Sequence, residues 1–257
     1  MHARQFAWRV CYGLLASRVP SPDWAFMNYG FAPLEPGPAL HLEASDEPDR
    51  LCIQLYQHAV GAVVVHDRDM LEVGSGRGGG ASYVSRYLRP LSVTGLDFSQ
   101  EAVDLCNRHR KAPGLTFLCG DAQSMPFPDR SFDAVLNIES SHCYPSMGRF
   151  LAEVHRVLRP GGSFLFADLR SRAGLDALHR QFGASPLNLE GEEDITANVL
   201  RALDVDNDRK SQLIRTLIPR PFRRPIRAFA GIEGTTNYVG FANGRLRYVS
   251  AHLTRPG

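Results

Sequence analysis

The sequence predicts an α/β protein built on a doubly wound, mostly parallel sheet, and three observations carry that prediction. Apolar runs of strand length alternate with segments of helical period between about residues 69 and 168. A glycine-rich turn, Gly74-Ser-Gly-Arg-Gly-Gly-Gly80, joins the first such run to the first helix that follows it. Polar residues that can carry chemistry, Glu72, Asp97, Asp121, His142 and Asp168, fall at or just past the carboxyl ends of successive strands. Ligands of doubly wound sheets bind beyond those ends.

Before the glycine turn, Phe6, Trp8, Val10, Leu14 and Leu15 predict a partly amphipathic helix. Pro20, Pro22, Pro33, Pro36 and Pro38 then mark an irregular crossing. Ser45 is the expected N-cap of a helix running to about His58, with Leu51, Leu55 and Tyr56 on one face. A strand at about 69–73 leads into a helix at 80–88. A strand at 92–97 leads into a helix at 100–110 capped by Ser99. A strand at 115–119 ends in Gly120-Asp121. A strand at 132–138 precedes a helix over 147–158, in which Phe150, Leu151, Val154, Val157 and Leu158 recur at helical spacing. Pro160-Gly161-Gly162 stops that helix before a strand at 163–168. Strands alternating with helices imply right-handed crossovers and hence parallel pairing. Past residue 170 the pattern loosens into helices at 173–182, 195–202 and 209–217, a basic connector at 219–225 and a last strand at 244–253.

The glycine turn suits a nucleotide-like cofactor, because glycine lets the backbone approach a ligand closely. Gly74, Gly76 and Gly79 also satisfy the dinucleotide pattern, with Asp97 at the distance expected for a ribose partner. Glu72, inside the strand end, separates the cofactors. A carboxylate there suits a cofactor with a positive amino-acid head and not a pyrophosphate, so S-adenosylmethionine is expected before a nicotinamide dinucleotide. No Tyr-x-x-x-Lys pair supports the latter. The expected cofactor set is Glu72, Gly74, Ser75, Gly76, Asp97, Phe98, Asp121 and Ala122, with Asp121 accepting from the adenine amino group.

In that order and spacing, Leu71–Gly80, Leu115–Ala122, Ser131–Ile138 and Val157–Asp168 resemble the class I S-adenosylmethionine-dependent methyltransferases. The resemblance implies a seven-stranded, Rossmann-like sheet in a single domain. It implies an N-terminal lid over 1–66, a cofactor-binding core over 67–190, a helical substrate cap over 191–234 and a final strand region over 235–257. Tyr29 is the lid residue expected to reach the cofactor. Phe26-Met-Asn-Tyr-Gly30, Glu47–Tyr56 and Glu139-Ser-Ser-His-Cys-Tyr-Pro145 resemble a subgroup that includes phthiotriol and phenolphthiotriol dimycocerosate, fatty-acid and rifamycin-type polyketide O-methyltransferases. That implies O-methylation of a lipid, polyketide or similar secondary metabolite.

Methylation of a hydroxyl requires loss of its proton as the new bond forms, which favours a general base. His142, after the fourth strand, is the expected base, and Asp168 is expected to orient it and stabilise the imidazolium. A related sugar O-methyltransferase group also has a histidine after strand four and an aspartate ending strand five. Glu139 is expected to contact the cofactor's amino group or the acceptor, or else to order its loop. A carboxylate acceptor is the alternative and would need no base. A non-catalytic cofactor-binding protein is a further reading.

Bulk properties narrow the rest. A chain of 257 residues can bury a sizeable core without disulfides. Its net charge of +2 demands no nucleic acid. Five cysteines, at 11, 52, 106, 119 and 143, form no C-x-x-C pair, so a reducing cytoplasm is expected. No histidine has metal-ligand spacing to a second ligand, so no metal is expected. Arg4 and Arg9 precede a short apolar run, but Tyr12 and Gly13 interrupt it and Arg18 closes it, which argues against a signal peptide. No run reaches the ~20 apolar residues of a membrane span.

Overall fold

The computed structural model describes residues 24–61 and 63–257. The helix expected around Phe6–Leu15 and the apolar run weighed as a signal peptide lie outside the described residues. The chain forms helix α1 (Arg50–Val60), then β1 (Asp69–Val73), α2 (Gly79–Leu88), β2 (Ser92–Asp97), α3 (Gln100–His109), β3 (Leu115–Cys119) and β4 (Phe132–Ile138). After these come α4 (Met147–Val157), β5 (Leu158–Ser171), α5 (Arg172–Gly183), β6 (Asn188–Asp194) and α6 (Thr196–Leu217). Helices α7 (Arg223–Phe229) and α8 (Thr236–Ala242) and strand β7 (Leu246–Thr254) complete the order.

The strands make one seven-stranded sheet in the order β3-β2-β1-β4-β5-β7-β6. Strands β1 to β5 pair in parallel, and β7 runs antiparallel to both β5 and β6. Alternation along each strand fills both faces. Met70, Val93, Leu136 and Leu165 enter a core with α1, α2 and α3. Leu71, Leu96, Val135 and Phe164 enter a second core with α4 and α5. Ser99 caps α3 as expected, its hydroxyl accepting from the Ala102 amide at 3.2 Å.

Several boundaries differ from expectation. Helix α1 starts at Arg50, not near Ser45. A short 3-10 turn over Glu47–Asp49 intervenes, with Pro48 in it, and Ser45 caps nothing. The two helices expected at 195–202 and 209–217 are one continuous helix, α6. The acidic stretch between them suggests a break, but Asp206 is buried and accepts from Arg209 Nε at 2.6 Å and Nη2 at 2.9 Å across one turn. That pairing holds the helix together. Strand β6 was not expected, and it places the boundary drawn at 190 inside a strand. Its residues are all exposed and Leu189 is its one large apolar side chain, so period-two alternation is absent, yet β7 supplies its ladder. Strand β5 runs to Ser171, so Asp168 is not its tip. It does lie one residue past the last parallel pair with β4, Ile138 with Ala167.

Candidate active site

The strand order reverses between β1 and β4, which opens a crevice at the carboxyl end of the sheet. The glycine turn leaves β1 there. Gly74 has φ +79°, and a Cβ on it would stand 2.3 Å from the Ser140 hydroxyl, so both conformation and space require glycine. Asp97, ending β2, braces the turn. Its Oδ2 accepts from the Gly76 amide at 2.7 Å and its Oδ1 from the Ser99 amide at 2.9 Å. Burial raises its pKa, against the lowering effect of these amide bonds.

Gly74, Ser75, Gly76, Asp97, Phe98, Asp121, Ala122 and Glu139 all line one cavity. Phe98 stands 56% exposed there. Asp121 follows β3, and its Oδ1 accepts from the Gln123 amide at 2.9 Å. A carboxylate has about four acceptor positions, so Asp97 and Asp121 both retain capacity for ligand hydroxyl or amino groups. Ser75 Oγ and Asn28 Oδ1 belong to the same wall and are buried without a partner. These residues fit an adenosine joined to an amino acid: acceptors for ribose and adenine, and unpaired polar atoms for the head group.

Two residues of the expected cofactor set, Glu72 and Tyr29, do not themselves line the cavity. Glu72 is 2% exposed and stands behind the wall, not in it. Its Oε1 accepts from the Tyr56 hydroxyl at 2.6 Å, and Oε2 has no partner. The wall residue is Tyr56, brought over the strand end by α1. Tyr29 is also off the wall. Its ring packs edge-on against Phe241, and its hydroxyl accepts from Asn237 Nδ2 at 2.8 Å. Its neighbours Phe26, Met27 and Asn28 line the cavity instead.

Glu139 follows β4 in a left-handed conformation, φ +50°, which is strained for a residue with a side chain. Its Oε2 accepts from the Tyr29 amide at 2.9 Å and from the Tyr248 hydroxyl at 3.0 Å. Burial pushes Glu139 up to about 7 and Glu72 up to about 8. A carboxyl raised in the fold binds its proton more tightly there than in the unfolded chain. Stability is therefore full below the ordinary carboxylate pKa and falls as pH rises through these values. We expect the cofactor-free protein to lose up to about 1.4 kcal/mol per pH unit from each carboxyl between about pH 5 and 8. Denaturant midpoints measured across that range check this, and Glu72→Gln should flatten the slope.

Beside the cavity, a 3-10 turn over Ser141–Cys143 presents His142 to Asp168. His142 Nδ1 lies 2.8 Å from Asp168 Oδ1, and Asp168 Oδ2 accepts from the His142 amide at 2.9 Å. Asp168 is wholly buried and the His142 side chain 26% exposed. Burial disfavours the imidazolium, but the Asp168 carboxylate outweighs it and holds the His142 pKa well above the usual histidine value. Burial would likewise raise Asp168. The Arg170 guanidinium, 2.9 Å away, and His142 instead pull it well below the carboxylate range. Neither His142 nor Asp168 forms the cavity wall, whereas Ser140, Cys143 and Tyr144 of the same loop do.

Sequence reasoning missed Arg170, Tyr56 and Asn28. Arg170 also donates to the Ser141 hydroxyl at 2.6 Å and lies over the Phe166 ring, so it locks the loop that carries His142. Its only sequence signal was its place two residues beyond Asp168. Among the described residues, no three His, Cys, Asp or Glu side chains group as a metal site.

The family model for a methyltransferase domain matches residues 71–166. The chain is 42% identical over 241 residues to a phthiotriol/phenolphthiotriol dimycocerosates methyltransferase of Mycobacterium tuberculosis, covering 94% of this chain and 89% of that one. It is 40% identical to a fatty-acid O-methyltransferase of Mycolicibacterium smegmatis, covering 91% and 88%. Among solved structures, its fold is similar to a geranyl diphosphate C-methyltransferase from Streptomyces coelicolor in complex with S-adenosyl-L-homocysteine. That match has a TM-score of 0.63 at 18% identity and covers 89% and 87% of the two chains.

Proposed function

The chain belongs to the S-adenosylmethionine-dependent methyltransferases, and from that premise we propose that it methylates a hydroxyl oxygen of a large apolar molecule, a lipid or polyketide, with His142 as general base. The observation that carries this reading is the 2.8 Å pairing of His142 with the buried Asp168 beside the cavity. S-adenosylmethionine, when bound, supplies a methyl group already activated on a sulfonium. Asp97 holds the ribose hydroxyls, and Asp121 with Ala122 and Phe98 holds the adenine. The glycine turn with Ser75 and Asn28 receives the amino-acid end, and Glu139 stands near the reacting centre. His142 takes the acceptor proton on Nε2, because Asp168 occupies Nδ1. Asp168 stabilises the imidazolium so formed, and Arg170 keeps Asp168 ionised.

The likeness to a fatty-acid O-methyltransferase favours a second reading, esterification of a carboxylate. The two acceptors are separable by product chemistry. Protein, methyl-labelled S-adenosylmethionine and a solvent extract of the source cells should yield a labelled organic product that survives mild alkali, as an ether does. Release of the label as methanol would mean an ester, and the base role of His142 would fall.

A further inference from the structure

From Arg209 to Ile232 the chain holds seven basic residues and no acidic one, although the whole protein carries a net charge of only +2. Four of the seven are engaged. Arg209 and Lys210 face Asp206, at 2.6 and 3.7 Å. Arg223 donates to the carbonyls of Ile218 and Arg215, and Arg227 approaches the Ser211 hydroxyl at 3.5 Å. Arg215, Arg220 and Arg224 are exposed and meet no carboxylate among the described residues. Between them stands Phe222, 52% exposed and flanked by the exposed Pro219, Pro221 and Pro225.

This surface is packed from beneath. Ile214, Ile218 and Ile226 pack with Ile232 and Trp24 beneath it, and Arg223 ties the turn after α6 back to that helix. Trp24 leads directly into Phe26, Met27 and Asn28, which line the cofactor cavity. A solvated linker explains exposed arginines, but not an aromatic ring held in water at their centre. Unpaired cations around an exposed apolar ring match the interface of a bilayer. The charges meet anionic head groups, and the ring enters the acyl boundary.

We infer that the tip formed by Arg215, Arg220, Phe222 and Arg224 docks this protein reversibly on a membrane rich in anionic phospholipid. Charge complementarity selects the lipid, and no described helix is long and apolar enough to cross a membrane. Docking there brings the cavity segment at residues 26–28 toward the bilayer, where an apolar acceptor would reside. The inference does not depend on which oxygen is methylated, since binding is read without turnover.

The test is co-sedimentation of the full chain with vesicles of phosphatidylcholine alone, or with about a third phosphatidylglycerol. The protein should pellet with the anionic vesicles and remain in solution with the neutral ones. R220E/R224E should lower partitioning by about 25-fold or more, at roughly fivefold per arginine lost. F222S should lower it severalfold, and that loss should persist in high salt, where the arginine contribution is screened. Unchanged binding of S-adenosylhomocysteine by both variants shows that they are folded. Failure to pellet with anionic vesicles, or pelleting that neither variant alters, overturns the inference. So does displacement by duplex DNA with no dependence on Phe222, which would mark a general polyanion patch.

Discussion

Asp168→Asn should lower kcat by about 10²–10⁴ while leaving cofactor affinity nearly unchanged, and His142→Ala should fall in the same range. The reason lies in the protonation state of the pair. A general base must be neutral to accept a proton, yet Asp168 holds His142 well above the usual histidine pKa. The rate should therefore rise with pH through that raised value and be greatest on the alkaline side of neutrality. Asp168→Asn removes the carboxylate that favours the imidazolium. The ascending limb should then move to lower pH, even as the plateau drops because the ring loses its orienting partner. Arg170→Met should act in the opposite direction on the limb. Without the guanidinium 2.9 Å from Asp168, the carboxylate attracts the imidazolium proton more strongly, and the limb should move to higher pH. A merely structural aspartate would lower activity without moving the limb. Initial rates across pH with saturating cofactor distinguish the two. A profile with no ascending limb, together with substantial activity in His142→Ala, would place a carboxylate in the acceptor site.

The sequence carried the sheet and the crevice at its carboxyl edge because both depend on local signals. Strand alternation, the glycine turn and Asp97 are each readable within a few residues, and the crevice follows once strand order is inferred. What local signals do not show is set by long-range partners. That Glu72 is met by Tyr56, sixteen residues earlier, follows only once α1 is placed over the strand end. That the Tyr29 ring and hydroxyl meet Phe241 and Asn237, more than two hundred residues later, is likewise set by the fold. Arg170 is one exposed-looking charge in the sequence, and only the fold shows that it is nearly buried against Asp168 and Ser141. Strand β6 has neither alternation nor apolar residues at its centre, so its existence rests on β7. The same long-range packing sets the cost of one small change near the cofactor turn.

Gly80→Ala should destabilise the protein by about 3–5 kcal/mol and lower its melting temperature by roughly 10 °C. Intrinsic propensity argues the other way, since alanine is better than glycine in a helix by about 1 kcal/mol. Gly80 lies in the first turn of α2 and has no unusual φ, so conformation does not require glycine. Space does. A Cβ there would lie 2.0 Å from Tyr56 Cε1 and 2.1 Å from Cζ, far inside contact distance. The ring cannot retreat cheaply, because it packs edge-on against Phe26 and donates to Glu72 at 2.6 Å. Moving it strips a buried carboxyl of its one side-chain partner, so overpacking and a lost hydrogen bond add together. It also shifts a wall of the cofactor cavity, so affinity for S-adenosylhomocysteine should fall with stability. Tyr56→Phe should not rescue the variant, because Cε1 remains. Tyr56→Ala should, making the double variant more stable than the sum of the two single losses predicts. Thermal melts of the four proteins measure that coupling. Gly80→Ala melting at the wild-type temperature would mean that Tyr56 does not sit on this helix.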